Sequence, residues 1–84
     1  MVDSIIMPES IEVITRFKNS GLPVPQSYRS GQKEYSILRV NLVHSIKRGA
    51  TRVLIFNVSD EGGDHTLIFD TGSLKWELGN NYDS

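Results

Sequence analysis

Hydrophobic positions recur with two different periods along this chain, and the change of period falls near residue 50. In PESIEVITRFKNSG, Ile11, Val13, Ile14 and Phe17 gather on one broad face when successive residues are turned by about 100°, as on a helix. Glu12, Thr15, Arg16 and Asn19 take the other face. Pro8 and Glu9 suit a helix start, and Gly21 followed by Pro23 and Pro25 suits its end. In EYSILRVNLVHSIKRG, Tyr35, Leu38, Leu42 and Ile46 recur at spacings of three, four and four, and Lys47-Arg48-Gly49 reads as a helix C-terminus. A strand is the alternative there, because Leu38, Val40 and Leu42 alternate with Arg39 and Asn41. LPVPQSYRSGQ, between the two, reads as an extended loop.

Beyond residue 50 the period becomes two. TRVLIFNVS is apolar at nearly every position, as a central strand is. DEGGD reads as a hairpin loop, HTLIFD as the returning strand and TGS as a second turn. In LKWELG, Leu74, Trp76 and Leu78 alternate with Lys75 and Glu77, so one face of that strand is wet. Val2 to Met7 is a short edge strand or an ordered arm, and residues 80–84 form a frayed polar tail. The expected fold is α+β: two helices packed on one face of a three- to four-stranded antiparallel sheet, in the order (β)ααβββ, as a single domain over residues 1–84.

Composition narrows the picture modestly. The 84 residues are 38% hydrophobic and 23% charged, as in an ordinary globular domain. With no cysteine there is neither a disulfide framework nor a thiolate metal site, which fits a cytoplasmic setting. The longest apolar run, Val53 to Phe56, is far too short to span a membrane, and the start MVDSIIMPES lacks the basic and apolar regions of a secretory signal.

The net charge of −1 conceals a segregation. Arg16, Lys18, Arg29, Lys33, Arg39, Lys47, Arg48 and Arg52 stand against Glu34 alone across residues 16–52, while Asp60, Glu61, Asp64, Asp70, Glu77 and Asp83 stand against Lys75 in the remainder. Blocks of this kind steer partners even when the total is near zero. On a helix, Lys33, Asn41, His44, Lys47 and Arg48 share a face with Ile37 and Val40, a mixture closer to a binding surface than to a solvated one. Arg39 falls instead at the edge of the apolar side.

Candidate chemistry is sparse. Asp70-Thr71-Gly72-Ser73, following an apolar strand, resembles the catalytic tripeptide of the pepsin-like and retroviral aspartic peptidases. In the retroviral family most of the fold follows the motif, whereas 14 residues follow Asp70 here. Asp, Thr, Gly and Ser are also what a tight turn between strands requires, and the turn is the expected reading. Asp60, Glu61 and Asp64 cluster with His65 around two glycines, but without the ligand spacing of a calcium-binding loop. No catalytic residue, metal or cofactor is expected.

The expected function is therefore a small non-enzymatic protein-binding module of the inhibitor, immunity, antitoxin or phage-regulator kind. It would act through the basic face (Lys33, Ile37, Val40, Asn41, His44, Lys47, Arg48) or the acidic loop (Asp60, Glu61, Asp64). A homodimer through the sheet is possible within that reading. The alternative is RNA binding or mRNA cleavage in the manner of small bacterial toxins with the βααβββ order, using the basic face to grip phosphates.

Overall fold

The computed structural model describes residues 9–79 and contains six strands and, among those residues, no helix. The strands are β1 (Glu9–Phe17), β2 (Pro23–Ser30), β3 (Lys33–Arg48), β4 (Thr51–Asp60), β5 (Gly63–Asp70) and β6 (Lys75–Leu78). Each pairs antiparallel with the next, and β6 returns to β1 through Ile11 opposite Trp76, which closes a barrel. The α+β expectation is thus overturned. Both expected helices are strands, β1 and β3, and the expected loop 22–32 contains β2. The strands expected after residue 50 and the turns between them are present. Pro8, Val2 to Met7 and the 80–84 tail lie outside the described residues.

The misreading has an identifiable physical cause. Residues directly opposite in an antiparallel pair point to the same face, and β3 is interrupted twice against β4. Ile37 faces Asp60 and Arg39 faces Ser59, so Leu38 is extra; Val40 faces Val58 and Leu42 faces Asn57, so Asn41 is extra. Each bulge puts two residues opposite one and flips the alternation beyond it. The inward positions therefore run Tyr35, Ile37, Val40 and Val43, at spacings of two, three and three. That sequence of gaps imitates a helical period while the backbone stays extended.

The glycine signal was shared as well. Gly49 has φ +64° in the two-residue turn between Arg48 and Thr51, the left-handed value that a helix C-terminus and a tight hairpin both favour. Two prolines in β2 are tolerated because residues 23–26 pair only with β1. The β2–β3 ladder is confined to Ser27–Ser30 and Lys33–Ser36, so Pro23 and Pro25 sit where β2 has no second neighbour among the described residues.

The core lies inside the barrel. Tyr28, Phe56, Val58, Leu67, Phe69 and Trp76 form one buried cluster, with Ile11, Val13, Tyr35, Ile37, Val40, Leu54 and Leu78 packed around it. Aromatic rings give it much of its volume. The Trp76 centroid lies 4.7 Å from that of Phe69 and 5.3 Å from that of Phe56, in tilted geometry.

Candidate functional site

Two features stand apart from a plain barrel wall: an open strand edge on β3, and a polar cluster buried beneath the β4–β5 turn.

The edge follows from the registers. β2 leaves β3 after Ser36 to follow β1, and β3 follows β4, so the two strands diverge like the arms of a V. From Ile37 to Arg48, β4 is the only strand paired with β3 among the described residues. Two bulges interrupt the first part of this stretch. From Leu42 to Arg48 the ladder with β4 is regular. Seven residues at about 3.3 Å each give roughly 23 Å of strand whose second row of main-chain groups has no ladder among the described residues. Leu42, Val43 and Ile46 are exposed along it, and Leu38 is 71% exposed at its start.

The same registers relocate the expected basic face. Ile37 and Val40 turn inward and pack on the core, whereas Leu38, Leu42 and Ile46, which helical spacing would bury, are the exposed ones. Lys33 sits at the other end of β3 from Lys47, roughly 45 Å away along the strand. Its ammonium lies 5.2 Å above the Tyr35 ring. Asn41 Nδ2 donates to Ser59 Oγ (2.9 Å), which donates to Asp64 Oδ1 (2.7 Å), so a residue of the expected basic face and one of the acidic loop belong to one hydrogen-bond chain. His44 lies outward opposite Ile55. Lys47 and Arg48 remain together at the hairpin tip, where Arg52 joins them as the cross-strand partner of Lys47. Arg39, opposite Ser59, points outward on the same strand. Arg29 stands between Glu12 and Glu34, its partners on β1 and β3, so part of the basic block faces carboxylates of its own barrel.

The polar cluster centres on Asp60, only 6% exposed. Tyr28 Oη donates to its Oδ2 at 2.7 Å, and His65 Nδ1 lies 2.9 Å from the same oxygen. The Gly62 amide donates to Oδ1 at 2.7 Å. A carboxylate can only accept, so the Nδ1 of His65 carries the proton. Tyr28 in turn stacks on Tyr35, centroids 5.0 Å apart and planes 12° from parallel. Asp60 thus belongs to the interior, and of the three acidic-loop residues Glu61 and Asp64 are the exposed ones. The sequence grouped Asp60 with His65 in one acidic loop but gave no sign that they are drawn inward or that Tyr28 joins them. The sequence signal that would have found it is the placement of Tyr28 and Tyr35 as direct partners across a two-residue turn.

Burial, followed by the hydrogen bond and the charge of Asp60 and by Tyr35, pushes the Tyr28 phenol well above its ordinary value of 10.0. Because the folded value is the higher one, the contribution to stability is complete below pH 10 and is lost as pH climbs toward the raised value. Urea unfolding measured from pH 8 to 12 is expected to show a decline in stability beginning near pH 10. Tyr28→Phe is expected to remove that part of the decline. An identical alkaline profile in the variant would contradict the assignment.

Asp70-Thr71-Gly72-Ser73 forms the β5–β6 turn. Asp70 Oδ1 accepts from the amides of Gly72 (2.8 Å) and Ser73 (3.1 Å), and Leu74 N donates to the Asp70 carbonyl at 2.7 Å. The Ser73 and Gly72 amides, with Arg48 contributing less, hold this carboxyl below its usual range. Thr71 fastens the turn to β4, its hydroxyl donating to the Arg52 carbonyl at 2.6 Å. The residues that resemble a peptidase motif are engaged in their own turn. No group of metal-ligating side chains gathers among the described residues, and no helix among them is long and apolar enough to cross a membrane.

No family model, curated protein or solved structure matches this chain.

Proposed function

We propose that the protein is a small binding module that takes an extended, acidic segment of another protein as an added strand along Leu42–Arg48 of β3. The open edge carries this reading. Main-chain groups of a regular strand that lack a second ladder gain hydrogen bonds from an incoming strand, and side chains at alternate positions set its register. Leu42, Val43 and Ile46 offer apolar contacts, and Lys47, Arg48 and Arg52 offer a positive end. Charge selects the partner's sign: neither Lys47 nor Arg52 has a carboxylate within ion-pair distance among the described residues.

A second copy of the chain fits less well, because its Leu42–Arg48 edge carries two cations and no carboxylate to complement Lys47, Arg48 and Arg52. The outward face of β4 and β5 offers a dimer little, since Val53 is buried there and Ile55 and Ile68 are half-buried. RNA fits less well too, since the open stretch Leu42–Arg48 bears no Phe, Tyr or Trp on which bases could stack. A cytoplasmic setting belongs to the same proposal, because a chain without cysteine gains no disulfide from an oxidising compartment.

The test uses a fluorescent ten-residue peptide of alternating glutamate and valine, with a lysine–valine peptide and a twenty-nucleotide RNA as competitors. Titration at physiological salt is expected to shift the amide resonances of residues 42–48 and slow their hydrogen exchange. The double variant Lys47→Glu/Arg48→Glu is expected to weaken binding about tenfold or more, the equivalent of about 1.4 kcal/mol. Shifts confined to other strands, or tight RNA binding that falls steeply with added salt, would reject the reading.

A further inference from the structure

Beside the open edge, the barrel end is not sealed. A groove of about 650 Å³ runs between the β1–β2 turn, the start of β4 and the β5–β6 turn, and its lining is mostly apolar: Phe17, Leu22, Pro23, Leu54, Phe69 and Leu74. Phe17 and Leu22 are exposed, and Leu74 is 70% exposed. Arg52 stands on the rim.

Leu74 holds the only positive φ, +62°, among the described non-glycine residues. A leucine in the left-handed region is strained, and glycine would occupy the position at less cost. Here a large apolar side chain is both strained and held out to solvent at the lip of an apolar groove. A backbone outlier of this kind points toward function. The groove also adjoins the proposed docking edge. Leu54 and Arg52, which line it, are the cross-strand partners of Ser45 and Lys47 on β3. A strand lying in the V between β2 and β3 would therefore have Ser45 and Lys47 on one side and Leu22 and Pro23 on the other.

We infer that this groove is a specificity pocket for one aromatic or long aliphatic side chain of the acidic segment, flanked by carboxylates two residues away that meet Lys47 and Arg52. The inference rests on the strand-addition reading above and names the feature of the partner that the edge alone would not select. Side chains two apart on a strand share a face, so an anchor entering the groove places its acidic neighbours at the cationic rim. The rim's charge argues for such a segment over a second copy of this chain, whose own edge is basic.

The experiment compares two forms of the alternating glutamate–valine peptide in which one central glutamate is replaced by valine or by phenylalanine, so that glutamates remain two residues to either side of the anchor. The phenylalanine peptide is expected to bind about tenfold tighter and to shift the methyl resonances of Leu22 and Leu74. Leu74→Gly is the decisive variant, because relief of strain is expected to raise its melting temperature while it abolishes most of the tenfold gain. Leu22→Ser is expected to weaken the phenylalanine peptide more than the valine peptide and so to reduce the gain. If the valine peptide docks on residues 42–48 and phenylalanine adds nothing, the pocket is rejected and strand addition stands. If neither peptide perturbs residues 42–48, both fail. A concentration-dependent dimer abolished by Leu74→Gly would assign the groove to a second copy and overturn the inference.

Discussion

Asp60→Ala is expected to destabilise the barrel by about 3–5 kcal/mol, the range for removing one partner of a buried, hydrogen-bonded charged group. Three donors converge on this carboxylate: the Tyr28 hydroxyl, His65 Nδ1 and the Gly62 amide. Alanine satisfies none of them, and Tyr28, 2% exposed, cannot turn its hydroxyl to water without leaving the core. Asp60→Asn separates the acceptor from the charge. Its oxygen can keep the Gly62 bond while its amide donates to the Tyr28 oxygen and to a His65 ring whose proton has moved to Nε2. A loss of about 1–2 kcal/mol is expected for this variant, since the bonds persist without charge assistance. Urea unfolding of both variants at neutral pH provides the measurement. An alanine variant within 0.5 kcal/mol of the parent would show that the cluster is solvated in solution.

The second half of the sheet was legible from residues and the first half was not, for one reason. β4, β5 and β6 have regular registers with each other, so their inward positions keep a period of two: Leu54, Phe56, Val58; Leu67, Phe69; Trp76, Leu78. β3 keeps that period only as far as Ile37. Bulges at Leu38 and Asn41 re-aim everything beyond, and a reading that assumes an unbroken period must choose a helix to bury Tyr35 together with Leu38, Leu42 and Ile46. In β1, Ile14 adds to the deception. It lies outward, 62% exposed, yet completes a helical quartet with Ile11, Val13 and Phe17.

The candidate site suffered from the same error in reverse. Lys47 and Arg48 were legible as an exposed basic pair because charge clusters need no period to be seen. The open edge was not legible, because an edge is a property of pairing between distant segments: β2 stops pairing with β3 at Ser36, and no local signal in 37–48 records that. The Tyr28–Asp60 contact, 32 residues apart in sequence, was hidden for the same reason.

Phe56→Ala is expected to cost about 3–5 kcal/mol, comparable with much of the stability of a domain this small. Phe56 is 1% exposed at the centre of β4, where its inward row runs from Val43 on β3 to Leu67 on β5. Its ring lies against that of Trp76 on β6, two strands away in the barrel. Truncation removes the transfer energy of the ring and leaves a void that six hydrogen-bonded strands, tied into a closed ring, cannot collapse to fill. Trp76 is the single tryptophan of the chain, so its fluorescence reports both the lost contact and the unfolding transition. The informative control is Leu38→Asn. On a helix Leu38 would be a core residue and the change would cost several kcal/mol. On this barrel Leu38 is an exposed bulge residue, and the change is expected to stay within about 0.5 kcal/mol of the parent. A large loss at Leu38 together with a small one at Phe56 would refute the register of β3 on β4, and with it the open edge from Leu42 to Arg48.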